Sequence, residues 1–451
     1  MEQSLRTILT EFERTGDLHY VDRPVDLRYE LGAVLALRGH GPTLFFRRVI
    51  GRDWPVIGNL LNSPGKIARG LGLEPAQVQP ALIRAMEQGL PPEIVPEGRS
   101  QEVVHPEPLD LMRLLPVPTW FERESGPYIT AGVVVAKDPA SGRRNVSIAR
   151  FRVEGGNVLL AGIAPTHHLG ELVRRAQARR MPLEIAIAIG NHPAVLLASQ
   201  MYLQLGHDEF DVAGALLGEP VRLVHGRTVD LEVPAEAEIV IEGAIHPEET
   251  MEEGLVSEFH GCYMAYGPGQ AVRVRAVTHR RDPIYQAIAP GFVPEHLLLG
   301  AQAIAATTCR AIRRVMPNVR QVHLTEGGMG RLHAIVTIHQ PAPGDGKRAI
   351  MMAMAQTNLL KLVIAVDDDI DPTDWTQVEW ALAARMKGHE DIMIIPEARA
   401  DRCDLQAVNR TVTKVGITAT TRPDDPQSSE TARCRPPLDV WTRVRAELDT
   451  Y

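Results

Sequence analysis

Apolar residues recur at helical spacing at the start of the chain, where Leu5, Ile8, Leu9 and Phe12 share one face. Ser4 supplies an N-cap in front of them and Gly16 a stop behind. A strand over 18–21, a helix over 29–37 and a strand over 43–49 follow, an α/β opening. Residues 64–90 predict two short helices divided by Gly72 and Pro75. The Pro/Glu-rich stretch 91–108 reads as a linker crossing the surface. From Tyr128 to Ala289 the pattern turns to short β-rich runs over 129–136, 145–153, 158–163, 184–189, 221–224, 238–241, 271–277 and 283–288. Gly155-Gly156-Asn157 is a hairpin signal, and helices over 171–180 and 212–217 interrupt the series. Many short strands with turns between them predict a barrel or sandwich. Helical spacing returns over 294–314 through Leu297, Leu298, Ala301, Ile304, Ala305, Cys309 and Ile312. Strands over 319–325 and 332–338 flank the Gly327–Gly330 turn. A helix over 348–358, a strand over 359–366 and a helix over 375–386, capped by Thr373, complete a separate C-terminal α/β domain from 316. The Pro/Asp/Ser/Arg-rich tail 422–437 reads as loop, and 438–448 as a last helix that docks elsewhere or on a partner subunit.

At 451 residues the chain can form two or three domains with real cores. Its 44% hydrophobic and 23% charged residues are those of an ordinary globular protein. A net charge of −8, with no basic patch interleaved with aromatics, argues against nucleic acid as partner. Cys262, Cys309, Cys403 and Cys434 are scattered without a CxxC, which points to a reducing, cytoplasmic setting. Met1–Ser4 lacks the apolar core of a signal peptide, and the apolar runs 183–189 and 194–198 are too short to span a bilayer, so no membrane association is expected.

The strand-like stretch Asn145–Arg150, with His167-His168 downstream, gathers an amide, a hydroxyl, a guanidinium and two imidazoles in apolar surroundings. Buried polar groups need partners, and a metal–phosphate ligand is one way to provide them. Asp208-Glu209 opens a short helix, where an acid serves as a cap or as a ligand. Asn145, His168 and Glu209 form an O/N/O set that suits Mn²⁺ or Mg²⁺ sharing a phosphate better than zinc. Glu253 and Glu258 flank Gly254; such a pair divides acid and base roles when one acid is kept protonated, and otherwise is a charged turn at a rim. Arg150 is the candidate to bind a substrate carboxylate bidentately and tune the two acids. Ser199 and Met201 offer a hydroxyl and carbonyls to a monovalent cation, with ordinary packing as the competing reading. His296 and Arg331 face a site or serve as a cap and a turn residue. Asp367–Asp371 reads as a solvated loop rather than a metal cluster, lacking the glycine and distal glutamate of a calcium loop. Walker, GxGxxG, GxSxG and HExxH motifs are absent.

The ordered set Asn145-x4-Arg150, Thr166-His167-His168, Glu209 before Ala213-Gly214-Ala215-Leu216, Ala237–Gly243, Glu253-Gly-x-x-x-Glu258 with Phe259-His260-Gly261, and Lys361–Asp371 resembles the UbiD family of reversible decarboxylases. The resemblance covers nearly the whole chain. It implies an α+β fold: an N-terminal α/β portion (1–108), a split β-barrel flavin-binding domain with a linking helix (109–315), and a C-terminal α/β oligomerisation domain (316–451). It further implies prenylated FMN as cofactor, supplied by a flavin prenyltransferase and held by Asn145, Ser147, Ile148, Ala149, Arg150, Pro165, His167, His168 and Glu209. Asn145, His168 and Glu209 match the ligands of a manganese ion on the cofactor phosphate; Ser199, Met201 and Glu209 match those of a potassium ion. Arg150, Glu253 and Glu258 match the family's Glu–Arg–Glu network, with a covalent flavin–substrate adduct and Glu258 as proton donor.

Many relatives carry Pro-Phe-Gly between the two glutamates where this chain has Leu255-Val256-Ser257, and Thr418 stands where relatives often have Asp. Pro294-Glu295-His296 and Arg331 resemble the subgroup acting on heteroaromatic acids, including 2,5-furandicarboxylate decarboxylases, and Leu299 falls beside them as a substrate contact. Ile304, two turns after His296, supplies no further cation, which favours a furan, pyrrole or indole monoacid over a diacid. A benzoic, cinnamic or dicarboxylic acid, or a split-barrel FMN reductase, is the alternative. The expected assembly is a homo-oligomer, dimer or hexamer.

Overall fold

The computed structural model describes residues 3–422, 434 and 436–451. Ser4 Oγ accepts from Arg6 N at the start of the helix Leu5–Thr15, and Gly16 ends it at φ +77°, where a side chain would be strained. Leu5, Ile8, Leu9 and Phe12 form its buried face. Strands Leu18–Val21, Thr43–Phe46, Val56–Gly58 and Tyr285–Gln286 make a four-stranded sheet, so the chain returns to its N-terminal part from a distance of more than 200 residues. Helices Pro64–Gly70 and Pro75–Glu87 fall either side of Gly72, as their spacing predicts.

The central sheet has nine strands. Its path runs from Tyr128–Ile129 through Arg150–Gly155, Val158–Gly162, Pro268–His279, Ile239–Glu252, Leu183–Ile189 and Val133–Lys137 to Arg144–Ile148, with Val103–Pro106 also on Pro268–His279. Every pairing is antiparallel. The strand Arg144–Ile148 ends the path and Arg150–Gly155 lies near its other end, yet only Ala149 separates them in sequence. The sheet therefore curls until its ends meet at Ala149, and no ladder joins them there: it is split rather than closed. The predicted single strand over 145–153 is thus two strands, because the chain turns a corner at Ala149. The predicted strand over 129–136 is likewise divided into Tyr128–Ile129 and Val133–Lys137.

The stretch 91–108 is not merely a linker. Glu93–Ile94 pairs with Arg222–Leu223, and Val103–Pro106 with Ala276–His279. Edges of distant strands recruit this Pro/Glu-rich segment, which its own composition does not foretell.

Helix Pro294–Arg313 is buried nearly all round and leads to the C-terminal sheet, ordered Val319–Leu324, His333–Ile338, Leu362–Asp367, Thr411–Ala419, Ile392–Arg399. Ala334, Val336, Val363 and Ala365 pack with helix Asp345–Gln356, while Ile335, Ile364 and Val366 pack with Trp375–Arg385 on the other face. Two-sided burial explains the unbroken apolar run of the 362–367 strand. Asp374, not Thr373, caps Trp375–Arg385; the Thr373 hydroxyl bonds to Asp371. The loop 367–371 is less solvated than its sequence implies, since Asp367 and Asp369 both accept from the largely buried Arg385. Leu438–Ala446 is helical and buries none of its residues; most of the predicted 422–437 loop lies outside the described residues.

Candidate active site

A cavity of about 470 Å³ opens between the split edge of the central sheet, the first turns of helix Pro294–Arg313 and the C-terminal segments 355–359 and 401–403. Ser147, Ile148, Ala149 and Arg150 line it in succession, because the corner at Ala149 turns consecutive residues toward the same space.

Arg150 reaches from this corner to both acids. It donates to Glu253 through Nε at 2.8 Å and Nη2 at 2.9 Å, and to Glu258 Oε1 through Nη1 at 3.4 Å. The two short bonds form a bidentate charge-assisted pair on a carboxylate that is almost fully buried. Glu258 is held more loosely and lines the cavity. The ion pair with Glu253 holds the Arg150 guanidinium firmly charged against the opposing effect of burial. Gly162 makes room for the pair: a Cβ there would overlap Glu253 Oε1 and lie 2.9 Å from Arg150 Nε. The reading of Glu253 and Glu258 as a solvated rim turn does not describe this geometry.

Behind the corner, Glu209 is buried at the first position of helix Glu209–Leu217, while Asp208 caps that helix through Phe210 N at 2.9 Å. The two neighbouring acids therefore divide capping from inward-facing duty. Glu209 accepts from Asn145 Nδ2 at 3.1 Å and Val146 N at 2.6 Å. Burial pushes its carboxyl up to about 8. Asn145 Oδ1 and Ser147 Oγ are buried without a hydrogen-bond partner. His168 opens helix His168–Ala178, which packs on the strand carrying Asn145, and burial pushes the His168 imidazole down. An orphaned amide oxygen, a carboxylate with no ion pair among the described residues and a helix N-terminus are groups of the kinds that a hard cation and a phosphate take. Among the described residues no cluster of three or more His, Cys, Asp or Glu side chains gathers as a metal site.

Other expected residues fall as follows. His167 stands on the cavity wall at the N-cap position of the same helix, with no side-chain capping bond, and Pro165 is exposed beside it without lining the cavity. Ser199 Oγ donates to Leu196 O at 2.8 Å, and Met201 packs in the apolar core. His296, Leu299 and Arg331 all line the cavity; Ile304 lies in the core instead. Burial and nearby Arg331 push the His296 imidazole down to about 3, so the ring is neutral at pH 7. Its Nδ1 lies 3.1 Å from Gly291 N. Arg331 stacks over Phe259 at 4.9 Å and makes no ion pair among the described residues.

Several residues of the cavity wall escape the motifs, Glu124, Tyr266 and Arg402 among them. The Tyr266 ring lies between guanidiniums, 5.3 Å from Arg150 and 4.1 Å from Arg402. Tyr266 precedes Gly267-Pro268-Gly269, a turn signal that draws notice to the turn and not to the phenol. Arg402 and Glu124 have no local signature at all.

Family models match along the chain in three pieces: the 3-octaprenyl-4-hydroxybenzoate carboxy-lyase N-terminal domain over 9–86, its Rift-related domain over 93–292 and its C-terminal domain over 298–419. The chain belongs to the UbiD family and is a UbiD-type carboxy-lyase. Among curated relatives, anhydromevalonate phosphate decarboxylase of Methanothermobacter thermautotrophicus is 38% identical over 409 residues, 89% of this chain and 93% of that one. The protein of the same name from Methanosarcina mazei is 35% identical over 92% of this chain and 95% of its own length. Among solved structures, the UbiD-class enzyme HmfF from Pelotomaculum thermopropionicum in complex with FMN superposes with a TM-score of 0.93 at 40% identity, covering 97% of this chain and 98% of that one. An evolved dimeric form of HmfF with prenylated FMN gives 0.90 at 38% identity, with the same coverage of both chains.

Proposed function

We propose that the chain is a prenylated-FMN-dependent decarboxylase of a heteroaromatic acid of furan, pyrrole or indole type. The observation that carries the reading is the bidentate Arg150–Glu253 pair with Glu258 beside it on the cavity wall. Support for the cofactor comes from the HmfF structures, which contain FMN and prenylated FMN. Asn145, His168 and Glu209 would hold a manganese ion on its phosphate, with Ser147, Ile148, Ala149 and His167 along it, and Ser199, Met201 and Glu209 a potassium ion nearby. Bound prenylated FMN supplies an electron sink that no side chain provides.

The chain's own residues do the rest. Arg150, fixed by Glu253, orients the substrate carboxylate. The bond from the ring carbon to the carboxylate breaks, CO₂ leaves, and the electron pair remains on carbon. The Glu258 O–H gives its proton to that carbon, and Glu258 is recharged from solvent. Run backwards, Glu258 takes the proton and CO₂ adds. His296 and Leu299 flank the ring.

One observation favours a substrate with a second anionic group. Arg331 and Arg402 both line the cavity, and neither has an acidic partner among the described residues. Both are half-buried on the cavity wall, and a guanidinium with no ion-pair partner there favours an anion in the space it faces. A ring dicarboxylate supplies one; the curated relatives are named for a phosphate-bearing acid, which supplies another. The C-terminal α/β portion is the proposed oligomerisation domain.

The test is to produce the protein alongside a flavin prenyltransferase, record the absorbance and mass of its flavin, and measure CO₂ release from 2-furoate, pyrrole-2-carboxylate and furan-2,5-dicarboxylate. Glu258→Gln is expected to abolish turnover while retaining the flavin. Full turnover by that variant would overturn the assignment of Glu258, and unmodified FMN with NAD(P)H-dependent bleaching would favour a reductase.

A further inference from the structure

Glu258 does not sit in the main sheet. It follows the three-residue strand Leu255–Ser257, whose only ladder among the described residues is with Tyr263–Ala265. Gly254 precedes this small hairpin and Gly261 lies in its turn, at φ +75° each, and Glu258 N closes the turn on Cys262 O at 3.2 Å. Nothing within so short a hairpin fixes its distance from Arg150, which stands on a different sheet.

Phe259, in the hairpin's turn, packs against Leu297 and Cys403, and on the side of Ser257 the contacts come from residues 121–125. Glu124 Oε1 accepts from Ser257 N at 3.0 Å and from Ser257 Oγ at 2.6 Å, and Glu124 Oε2 accepts from Phe121 N at 3.3 Å. Arg123 N donates to Tyr263 Oη at 3.3 Å, and Phe121 meets the Tyr263 ring edge-on at 6.4 Å. Ser125 lies against Gly254, where a Cβ would overlap its hydroxyl. Glu124 is thus bonded to the residue immediately before Glu258, through a hydroxyl that the Leu255-Val256-Ser257 sequence provides and a Pro-Phe-Gly sequence would not. Burial pushes its carboxyl up, with the Ser257 bonds and Arg150 opposing.

We infer that Glu124 is a positioning residue for Glu258: through Ser257 it sets the hairpin at the height where Glu258 reaches both Arg150 and the reacting carbon. The inference rests on the decarboxylase reading above and adds to it a residue outside the Glu–Arg–Glu network. It also explains why the looser member of the network, at 3.4 Å from Arg150, is the one on the hairpin.

Two measurements test it, one independent of turnover. In hydrogen–deuterium exchange of the whole protein, Glu124→Ala is expected to speed exchange in 255–265. Glu124→Gln, which keeps an acceptor oxygen for Ser257, is expected to exchange like wild type. In decarboxylation of whichever of 2-furoate, pyrrole-2-carboxylate and furan-2,5-dicarboxylate the wild-type protein turns over fastest, Glu124→Ala is expected to lower kcat about 10- to 100-fold, as a displacement of about 1 Å does, with KM within about twofold and flavin content unchanged. Glu124→Gln is expected to recover most of that loss, and Ser257→Ala to fall between. If Glu124→Ala does not fold, Ser257→Ala carries both measurements. Unchanged exchange in 255–265 overturns the inference. So does a Glu124→Gln variant as impaired as Glu124→Ala, or loss of flavin and kcat together. Glu258→Gln is run alongside: if it retains turnover, the decarboxylase assignment of Glu258 fails. If it is inactive while Glu124→Ala is unimpaired in both readouts, only the role of Glu124 fails.

Discussion

Removing the guanidinium of Arg150 tests the site where its geometry is tightest. Arg150→Met deletes two short charge-assisted bonds and leaves Glu253, about 2% exposed, without a cation. Breaking a buried pair from one side costs about 3–5 kcal/mol, because the remaining charge keeps its desolvation penalty. Arg150→Lys keeps the charge but has no planar fork, so it retains at most one of the two short bonds and costs about 1.5–3 kcal/mol. Removing both partners, as in Arg150→Met with Glu253→Gln, leaves no buried charge and should lie closer to wild type than the sum of the single changes, by more than about 0.5 kcal/mol. Urea unfolding followed by tryptophan fluorescence gives the stabilities of wild type, Arg150→Lys, Arg150→Met, Glu253→Gln and the double variant. The order expected is wild type, Arg150→Lys, Arg150→Met, with positive coupling in the cycle. Additivity within about 0.5 kcal/mol would refute the claim that the pair acts as a buried unit. Decarboxylation should fall in Arg150→Lys by about 10²-fold or more, since the carboxylate and Glu258 lose their common reference.

Gly162→Ala places a methyl group against Glu253 Oε1 and Arg150 Nε, so it should reduce turnover as Arg150→Lys does while the flavin spectrum persists; wild-type kinetics would show that the network has slack. The pH dependence of stability offers a second test through His192, which burial pushes down to about 4 and whose Nδ1 accepts from Ala194 N at 3.1 Å as a helix cap. The unfolded histidine titrates near about 6.5, so between that pH and about 4 the unfolded chain binds a proton that the folded chain refuses. Stability at this site is therefore lost as pH falls through that window. His192→Asn keeps a capping oxygen that does not titrate, and its thermal midpoint should gain on wild type from pH 6.5 down to 4.5; a pH-independent difference would refute the cause.

The sequence by itself determined most elements, because each buries one periodic face against something and that period is written locally. Leu5, Ile8, Leu9 and Phe12, the 64–87 helix pair and the helix from Pro294 are of this kind. It also determined which polar residues stand in apolar surroundings, Asn145, Arg150 and Glu209 among them. Only the tertiary structure decided the corner at Ala149, the strands within 91–108 and the hydrogen-bonding edge that recruits them, since backbone pairing with a distant strand leaves no mark on the paired segment's own side-chain pattern. The same holds for the site's outer members. Glu124, Tyr266 and Arg402 come from separate stretches brought to one cavity, each a common residue in an unremarkable loop. Glu124 and Tyr266 owe their chemistry to desolvation and to Arg150 nearby, and Arg402 stacks on Tyr266; these are properties of the folded cavity, not of any stretch of chain.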